Sequence, residues 1–290
     1  MLEPVLDLNH FAPGASFPSA TCMLDDAFVD AYLAATGEAH PLYAQGYAPP
    51  LCLVLVRFSK ASLGGRWPSG TLQLDQRFRS LRALRRGERV LLDLRIGSRG
   101  ERSGRPQVEM LTTARDEQGR IVAELGSTSS WPRGSGGTHD SAGAESTAPR
   151  PAPEPATPET PATPATVAIG PVTDCFPMER LRAYGEIAGA RDPIHLDPAF
   201  GKASPLGTNI AQGKLVMTLI SRLMLDHLGQ RWLEAGYLDI RFRRPVPVGA
   251  EVQAWASPIA EVGDDAFSVW ISDSAGERAI VGRAGLAARQ

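Results

Sequence analysis

The chain has 290 residues, 43% hydrophobic and 21% charged, which is enough for two domains that each bury a core. Its formal net charge of −2 gives no basic surface for nucleic acid or an anionic membrane, so neither is an expected partner. No apolar run approaches the roughly 18 residues of a transmembrane helix, no signal peptide is recognisable, and the three scattered cysteines favour reduced thiols in a cytoplasmic protein.

The first 132 residues predict one domain that begins with a helix and ends in strands. Residues 25–44 place apolar side chains at helical spacing before a turn-like loop. The apolar run within residues 50–63 is compatible with either a buried strand or a helix. Four strand patterns with Gly-rich turns follow, at residues 71–81, 89–97, 107–116 and 120–130.

Residues 133–168 predict a linker. They begin rich in Gly and Ser, and prolines then recur every two or three residues from Pro149 to Pro164. With almost no bulky apolar side chain, this segment cannot offset the entropy of ordering by burial. We therefore expect a disordered, semi-stiff tether.

Residues 169–290 predict a second domain that repeats the order of the first. A helix at 176–189 leads into a loop and then into a helix at 214–228, which is apolar nearly all round and must therefore be wrapped. Strand patterns follow at residues 237–246, 251–259, 266–274 and 278–288. We predict a tandem repeat of one module, and the repeat assigns the ambiguous run at 50–63 to a helix.

The loop and helix start of the second module carry the residues best suited to chemistry. Asp192-Pro193-Ile194-His195 places one imidazole on a loop that proline stiffens. Ile210-Ala211-Gln212-Gly213 then opens the long helix, where free backbone N–H groups can bind a carbonyl or an anion.

This layout resembles the core motif of MaoC-like (R)-specific enoyl-thioester hydratases and dehydratases, a hot-dog family, in the two-hot-dog form. Gly189, Pro193-Ile194-His195 and Leu196-Asp197-Pro198 match the family pattern. Ala190 stands where the family has its catalytic Asp, Asp192 where it has Asn, and Gln212 where it usually has His. The resemblance implies an α+β fold of tandem hot-dog domains, each an antiparallel sheet around a central helix, that form an internal pseudo-dimer.

The resemblance also implies an activity, namely hydration of a 2-enoyl thioester or dehydration of a 3-hydroxyacyl thioester in fatty acid or polyketide metabolism. The substrate would be an acyl-CoA or acyl-carrier-protein thioester, with no metal and no cofactor beyond the pantetheine arm. The catalytic candidates are His195 as acid and base, Asp192 as its partner, and the Gly213 N–H as oxyanion donor. The residues expected to bind substrate are Ile194, Gln212 and Leu215. Two such chains could pair as a homodimer.

Other interpretations stay open at this stage. Alanine cannot transfer a proton, so Ala190 leaves a non-catalytic acyl-thioester-binding or partner-stabilising protein as the alternative. Asp192 could brace its own loop by bonding nearby backbone N–H groups, and a lone loop residue such as His195 could be a bystander. No nucleotide-binding glycine motif and no metal-ligand cluster is present, which argues against redox, ATP or metal chemistry.

The first module has a degenerate copy of the motif at residues 37–43. Glu38 stands at the acid position and Tyr43 at the His position. We expect Glu38 to be a solvated carboxylate at a helix end. The basic stretches 82–86 and 241–244 are expected on solvated faces, with contact to the phosphates of a coenzyme A or carrier arm as the alternative.

Overall fold

A computed structural model of the chain describes residues 5–7, 11–55, 67–68, 70–132, 168–260 and 265–287. The predicted linker lies outside these ranges except for Ala168, so the domain boundaries stay predictions. None of the helices in the described ranges combines the length and the apolar character that crossing a bilayer demands.

The N-terminal half is helical first and then becomes sheet. Its elements, in chain order, are β1 (Ala20–Met23), α1 (Asp26–Thr36), α2 (Pro41–Ala44), a 3-10 helix (Pro50–Leu55), β2 (Leu72–Ser80), β3 (Arg89–Arg102), β4 (Arg105–Arg115) and β5 (Ile121–Ser130). The apolar run that was ambiguous in sequence is helical over Pro50–Leu55, all six residues of which are buried. The rest of that run, residues 56–63, lies outside the described part of the chain.

The C-terminal half follows the same plan with more helices. Its elements are β6 (Ile169–Cys175), α3 (Met178–Ala188), α4 (Pro193–Leu196), α5 (Pro198–Ala203), α6 (Gly213–Val216), α7 (Thr218–Leu228), α8 (Gln230–Ala235), β7 (Gly236–Phe242), β8 (Glu251–Pro258), β9 (Ala266–Asp273) and β10 (Arg278–Leu286). The helix predicted at 214–228 is divided at Met217 into α6 and α7.

All ten strands belong to one antiparallel sheet, in the order β1-β3-β4-β5-β2-β7-β10-β9-β8-β6. The strand order, followed from each outer edge to the centre, is β1-β3-β4-β5-β2 in the N-terminal half and β6-β8-β9-β10-β7 in the C-terminal half. Each half thus has its first, third, fourth, fifth and second strands in that order. The halves meet where β2 pairs with β7, in a register that aligns Phe78 with Leu238. The sheet therefore contains the predicted repeat twice, related by an approximate two-fold axis between β2 and β7.

Three backbone hydrogen bonds recur at corresponding positions of the two halves. In the N-terminal half they run from Ala48 N to Leu84 O (3.0 Å), from Arg86 N to Gly46 O (2.9 Å) and from Gly87 N to Leu24 O (2.7 Å). In the C-terminal half they run from Ala211 N to Val246 O (2.8 Å), from Val248 N to Asn209 O (2.9 Å) and from Gly249 N to Phe176 O (2.9 Å). These bonds fix a residue-by-residue correspondence, in which Ala48 matches Ala211 and Pro50 matches Gly213.

The main core lies between the sheet and the helices that it wraps. α7 contributes buried residues on nearly every side, as its composition predicted. Burial of large apolar side chains such as Leu219 and Met224 contributes about 1.5–3 kcal/mol each, which makes this helix the centre of its half.

Candidate active site

The candidate loop begins where α3 stops. Gly189 ends the helix in the left-handed conformation (φ 59°), which glycine adopts without strain. Ala190 follows, half-buried, with its N–H bonded to the Gly185 carbonyl at 2.9 Å. At the position where the family has its acid, this chain therefore has a backbone turn whose side chain is only a methyl group.

Asp192 caps the short helix that carries the imidazole. Its Oδ1 accepts a hydrogen bond from the Ile194 N–H at 3.2 Å, while Pro193 occupies the first helical turn. The Asp192 side chain is exposed. This geometry favours the loop-bracing role, and the proposed catalytic role of Asp192 stays a prediction.

Asn209 fastens the imidazole loop to the segment that opens α6. Its buried Nδ2 donates to the carbonyls of Ile194 and Asp197, both at 2.9 Å, and the Ile210 N–H donates to the same Ile194 carbonyl at 3.2 Å. Sequence analysis did not single out Asn209. The signal was a polar amide within the small-residue turn just before the long helix.

His195 is half-buried, and a backbone carbonyl orients its ring. Its Nδ1 lies 2.9 Å from the Ile210 carbonyl oxygen. A carbonyl can only accept, so Nδ1 must be the donor, and in the neutral ring the lone pair is on Nε2. Nε2 is therefore the nitrogen through which the neutral ring can act as a base.

Gly213 is the first residue of α6, where the backbone N–H has no partner within the helix. A Cβ at this position would come within 2.9 Å of the Phe242 ring, so the site is shaped for glycine. Lys214, the next residue, donates from Nζ to the Val54 carbonyl at 3.1 Å. This contact, missed in sequence, joins the start of α6 to the 3-10 helix of the other half.

The three residues expected to bind substrate differ in accessibility. Ile194 is half-buried, whereas Gln212 and Leu215 are 4% and 0% exposed. The Gln212 Nε2 donates to the Leu181 carbonyl at 3.0 Å, which directs its amide into the protein. Substrate could meet these two residues only from an interior tunnel.

The corresponding loop of the N-terminal half is closed and polar inside. Glu38 is only 5% exposed, so the expectation of a solvated carboxylate was wrong. The Tyr43 hydroxyl donates to Glu38 Oε2 at 2.5 Å. Burial raises the pKa of the Glu38 carboxyl to about 7, although the Tyr43 and Tyr32 hydroxyls and the Arg222 guanidinium oppose that rise.

That half also lacks the backbone donor. Pro50 stands at the position that corresponds to Gly213, and proline has no N–H. Among the residues that the structure describes, no three His, Cys, Asp or Glu side chains are grouped as metal ligands would be.

Comparison with known proteins gives one family-model match and several curated relatives. Residues 154–263 match the family model of the MaoC like domain. The 3-hydroxyacyl-thioester dehydratase Z of Mycobacterium tuberculosis is 32% identical over 83 residues, which cover 27% of this chain and 55% of that protein. The 3-hydroxybutyryl-CoA dehydratase of Methylorubrum extorquens is 39% identical over 74 residues, 24% of this chain and 45% of that protein. The chain thus spans about half the length of these relatives.

Solved structures match the whole architecture. A MaoC-like dehydratase superposes with a TM-score of 0.72 at 19% identity, covering 97% of this chain and 99% of that one. HtdX of Mycobacterium tuberculosis superposes with a TM-score of 0.66 at 17% identity, covering 93% of this chain and 100% of that one. Another protein of that organism, described as having a double hotdog fold, superposes with a TM-score of 0.58 at 17% identity. The match covers 97% of this chain and 98% of that one. The predicted tandem hot-dog fold is confirmed.

Proposed function

We propose that this chain, which carries a MaoC-like domain, adds water to a 2-enoyl thioester or removes it from a 3-hydroxyacyl thioester. The observation that carries the proposal is the imidazole of His195, oriented by the Ile210 carbonyl and fastened to the segment that presents the Gly213 N–H. The names of the curated relatives, which are dehydratases of 3-hydroxyacyl or 3-hydroxybutyryl thioesters, support the same reaction class.

The Gly213 N–H has the role of polarising the thioester carbonyl. Negative charge develops on that oxygen when water adds to the β-carbon, and a donor already in place stabilises this charge without reorganising. The Phe242 ring fills the space that a side chain at position 213 would need, which is why glycine suits this helix start.

His195 has the role of moving the proton. In hydration, Nε2 takes a proton from water as the oxygen bonds to the β-carbon, and then returns a proton to the α-carbon as the enolate collapses. In dehydration the same ring removes the α-proton and protonates the departing hydroxyl. One imidazole can perform both transfers in turn, which is how the chain could work with Ala190 at the acid position.

Asp192 remains the proposed partner of His195, through the carboxylate oxygen that does not cap α4. The substrate in this proposal is an acyl-CoA or acyl-carrier-protein thioester, with no other cofactor and with no nucleic acid or membrane as partner. We further propose a cytoplasmic location and a homodimer of two-domain chains.

Hydration of crotonyl-CoA, followed by the loss of ultraviolet absorbance, tests the proposal. We expect His195→Ala to lower kcat/KM by about 10²–10⁴-fold, the usual cost of removing a proton-transfer group. His227→Ala is the matched control and should leave the rate unchanged, because the His227 ring lies near the C-terminal end of α7 and packs edge-on against Phe267 of β9. A wild-type rate in His195→Ala would contradict the mechanism.

Ala190 favours a second candidate, a protein that binds acyl thioesters without converting them. Tight crotonyl-CoA binding with no turnover in either the wild type or His195→Ala would establish it. Asp192→Asn, which keeps the cap, separates the roles of Asp192: an unchanged rate would leave it only the bracing role.

A further inference from the structure

A cleft with a volume of about 660 Å³ lies between the two halves. One wall is Tyr47 together with the end of β2 and the turn that follows it, and the other is α8 of the C-terminal half. Tyr47 forms a bridge with Arg85 just as Ile210 forms one with Pro247. The cleft therefore lies beside the counterpart of the residue whose carbonyl orients His195.

The charge of this cleft is predominantly positive. Arg79, Arg82 and Arg85 line it, against one carboxylate, Glu234, which accepts a hydrogen bond from the Gln230 Nε2 at 2.6 Å. Arg82 is neutralised by two carboxylates behind the wall, at 3.0 and 3.3 Å. The positive charge left over belongs to the other two arginines.

Neither of those two arginines forms an ion pair with an acid in the described part of the chain. The guanidinium of Arg85 lies 3.5 Å from the centre of the Tyr47 ring and donates to the Gln45 carbonyl at 3.1 Å, and both of these partners are neutral. Arg79 is half-buried, and its Nε is buried without an acceptor. Across the described ranges, no carboxylate stands within ion-pair distance of either side chain. A buried cationic donor without an acceptor is costly, which an anionic ligand would relieve.

We propose that this cleft binds a small molecule that carries a phosphate group, with Arg79 and Arg85 as the residues that attract it. Guanidinium groups match the geometry and charge of phosphate oxygens. The volume falls within the range of small-molecule sites, about 300–1,000 Å³, and exceeds what a bare phosphate would fill. The ligand is therefore a phosphorylated organic molecule.

The cleft is a binding site and not a second reaction centre. Pro50 offers no N–H where Gly213 does, and the Tyr43 hydroxyl is already committed to Glu38. The inference is independent of the proposed reaction, since it uses none of the residues assigned to that reaction.

Isothermal titration calorimetry on the full chain tests the inference, with ADP as the probe and adenosine as the probe without phosphate. We expect ADP to bind, inorganic phosphate to compete with it, and adenosine to bind at least 10-fold more weakly. Failure of ADP to bind, or equal affinity for ADP and adenosine, would overturn the inference.

Substitutions of the cleft arginines test whether ADP binds in this cleft. Arg79→Gln and Arg85→Gln should each weaken ADP about 10- to 100-fold, the usual loss for a charge-assisted hydrogen bond. Arg77→Gln is the matched control, because Arg77 lies on the same strand outside the cleft and pairs with Glu109 at 2.5 Å, and should bind ADP within twofold of wild type. If one cleft variant does not fold, the other answers the same question. Wild-type affinity in a folded cleft variant, or an equal loss in Arg77→Gln, would show that ADP binds elsewhere.

Discussion

In the N-terminal half the loop after α1 places a carboxyl against a phenol, whereas in the C-terminal half the loop after α3 places a methyl group and an imidazole at the corresponding positions. The backbone is the same in both. Gly37 and Gly189 end their helices in the left-handed conformation, and a side chain then caps the short helix that follows. The difference lies in the side chains alone, so a shared scaffold does not imply shared chemistry.

The contrast is sharpest at the start of the central helix. Gly213 offers a backbone N–H three residues after the carbonyl that holds the imidazole, and Pro50 offers none. A half that lacks this donor cannot stabilise an oxyanion in the same way, whatever acid it retains. The acid thus belongs to the loop of the N-terminal half, and the backbone donor belongs to the helix start of the C-terminal half.

The largest expected effect on catalysis comes from replacing Gly213 with proline, the residue found at the corresponding position 50. Gly213→Pro removes the N–H, while Gly213→Ala keeps it and introduces the same crowding against Phe242. We expect the kcat of Gly213→Pro for crotonyl-CoA hydration to be roughly 10²–10³-fold lower than that of Gly213→Ala. This factor is the usual cost of removing one oxyanion donor. Equal rates in the two folded variants would remove this N–H from the mechanism.

A smaller effect should follow from giving the C-terminal loop the acid that the N-terminal loop retains. The contact between Glu38 and Tyr43 demonstrates that a carboxyl at this position reaches the residue five places later. In Ala190→Glu the new carboxyl should therefore approach His195 and raise kcat/KM, by about 10-fold or more. Ala190→Gln has nearly the same shape and no proton to transfer, and should give no gain. An equal gain in both variants would mean that shape, and not proton transfer, was responsible.

The smallest expected effect concerns stability. The pKa of Glu38 is raised by burial to about 7 in the folded chain, so the stability linked to its bound proton is fully present below the unfolded value near 4.5 and is lost as pH rises through 7. Between pH 6 and pH 8 the wild type should lose on the order of 1 kcal/mol, or about 2–4 °C in Tm.

Two variants isolate the contribution of Glu38 to the pH dependence of stability. Glu38→Gln should flatten the dependence of Tm on pH, because its amide does not titrate. Glu186→Gln, which changes an exposed carboxylate near the end of α3, should leave it as in the wild type. An unchanged slope in Glu38→Gln would assign the pH dependence to another group.

Most of the fold could be predicted because its elements have strong periodic patterns. The alternation in β7 and the all-round apolar character of α7 identified the half-buried strand and the wrapped helix. Both edge strands were missed, β1 because it has only four residues and β6 because it contains Gly170 and Pro171, which break the usual pattern.

The candidate site was predictable in its local parts and not in its long-range parts. The Asp192 cap spans two residues and follows from turn chemistry. The contacts of Gln212 with Leu181 and of Lys214 with Val54 join distant segments, so nothing local announces them. The burial of Glu38 was missed for the same reason, since charged groups of α7 on the other half approach it closely enough to shift its pKa.

The joining of both modules in one chain has an evolutionary consequence. In an assembly of two identical subunits, every substitution is made twice, so any change that disables one catalytic loop disables both. Once the copies share a chain, as the repeated strand order indicates, each can drift by itself. Proline at 50 and tyrosine at 43 are changes of the kind that such freedom permits, because a second, separately encoded loop remains under selection.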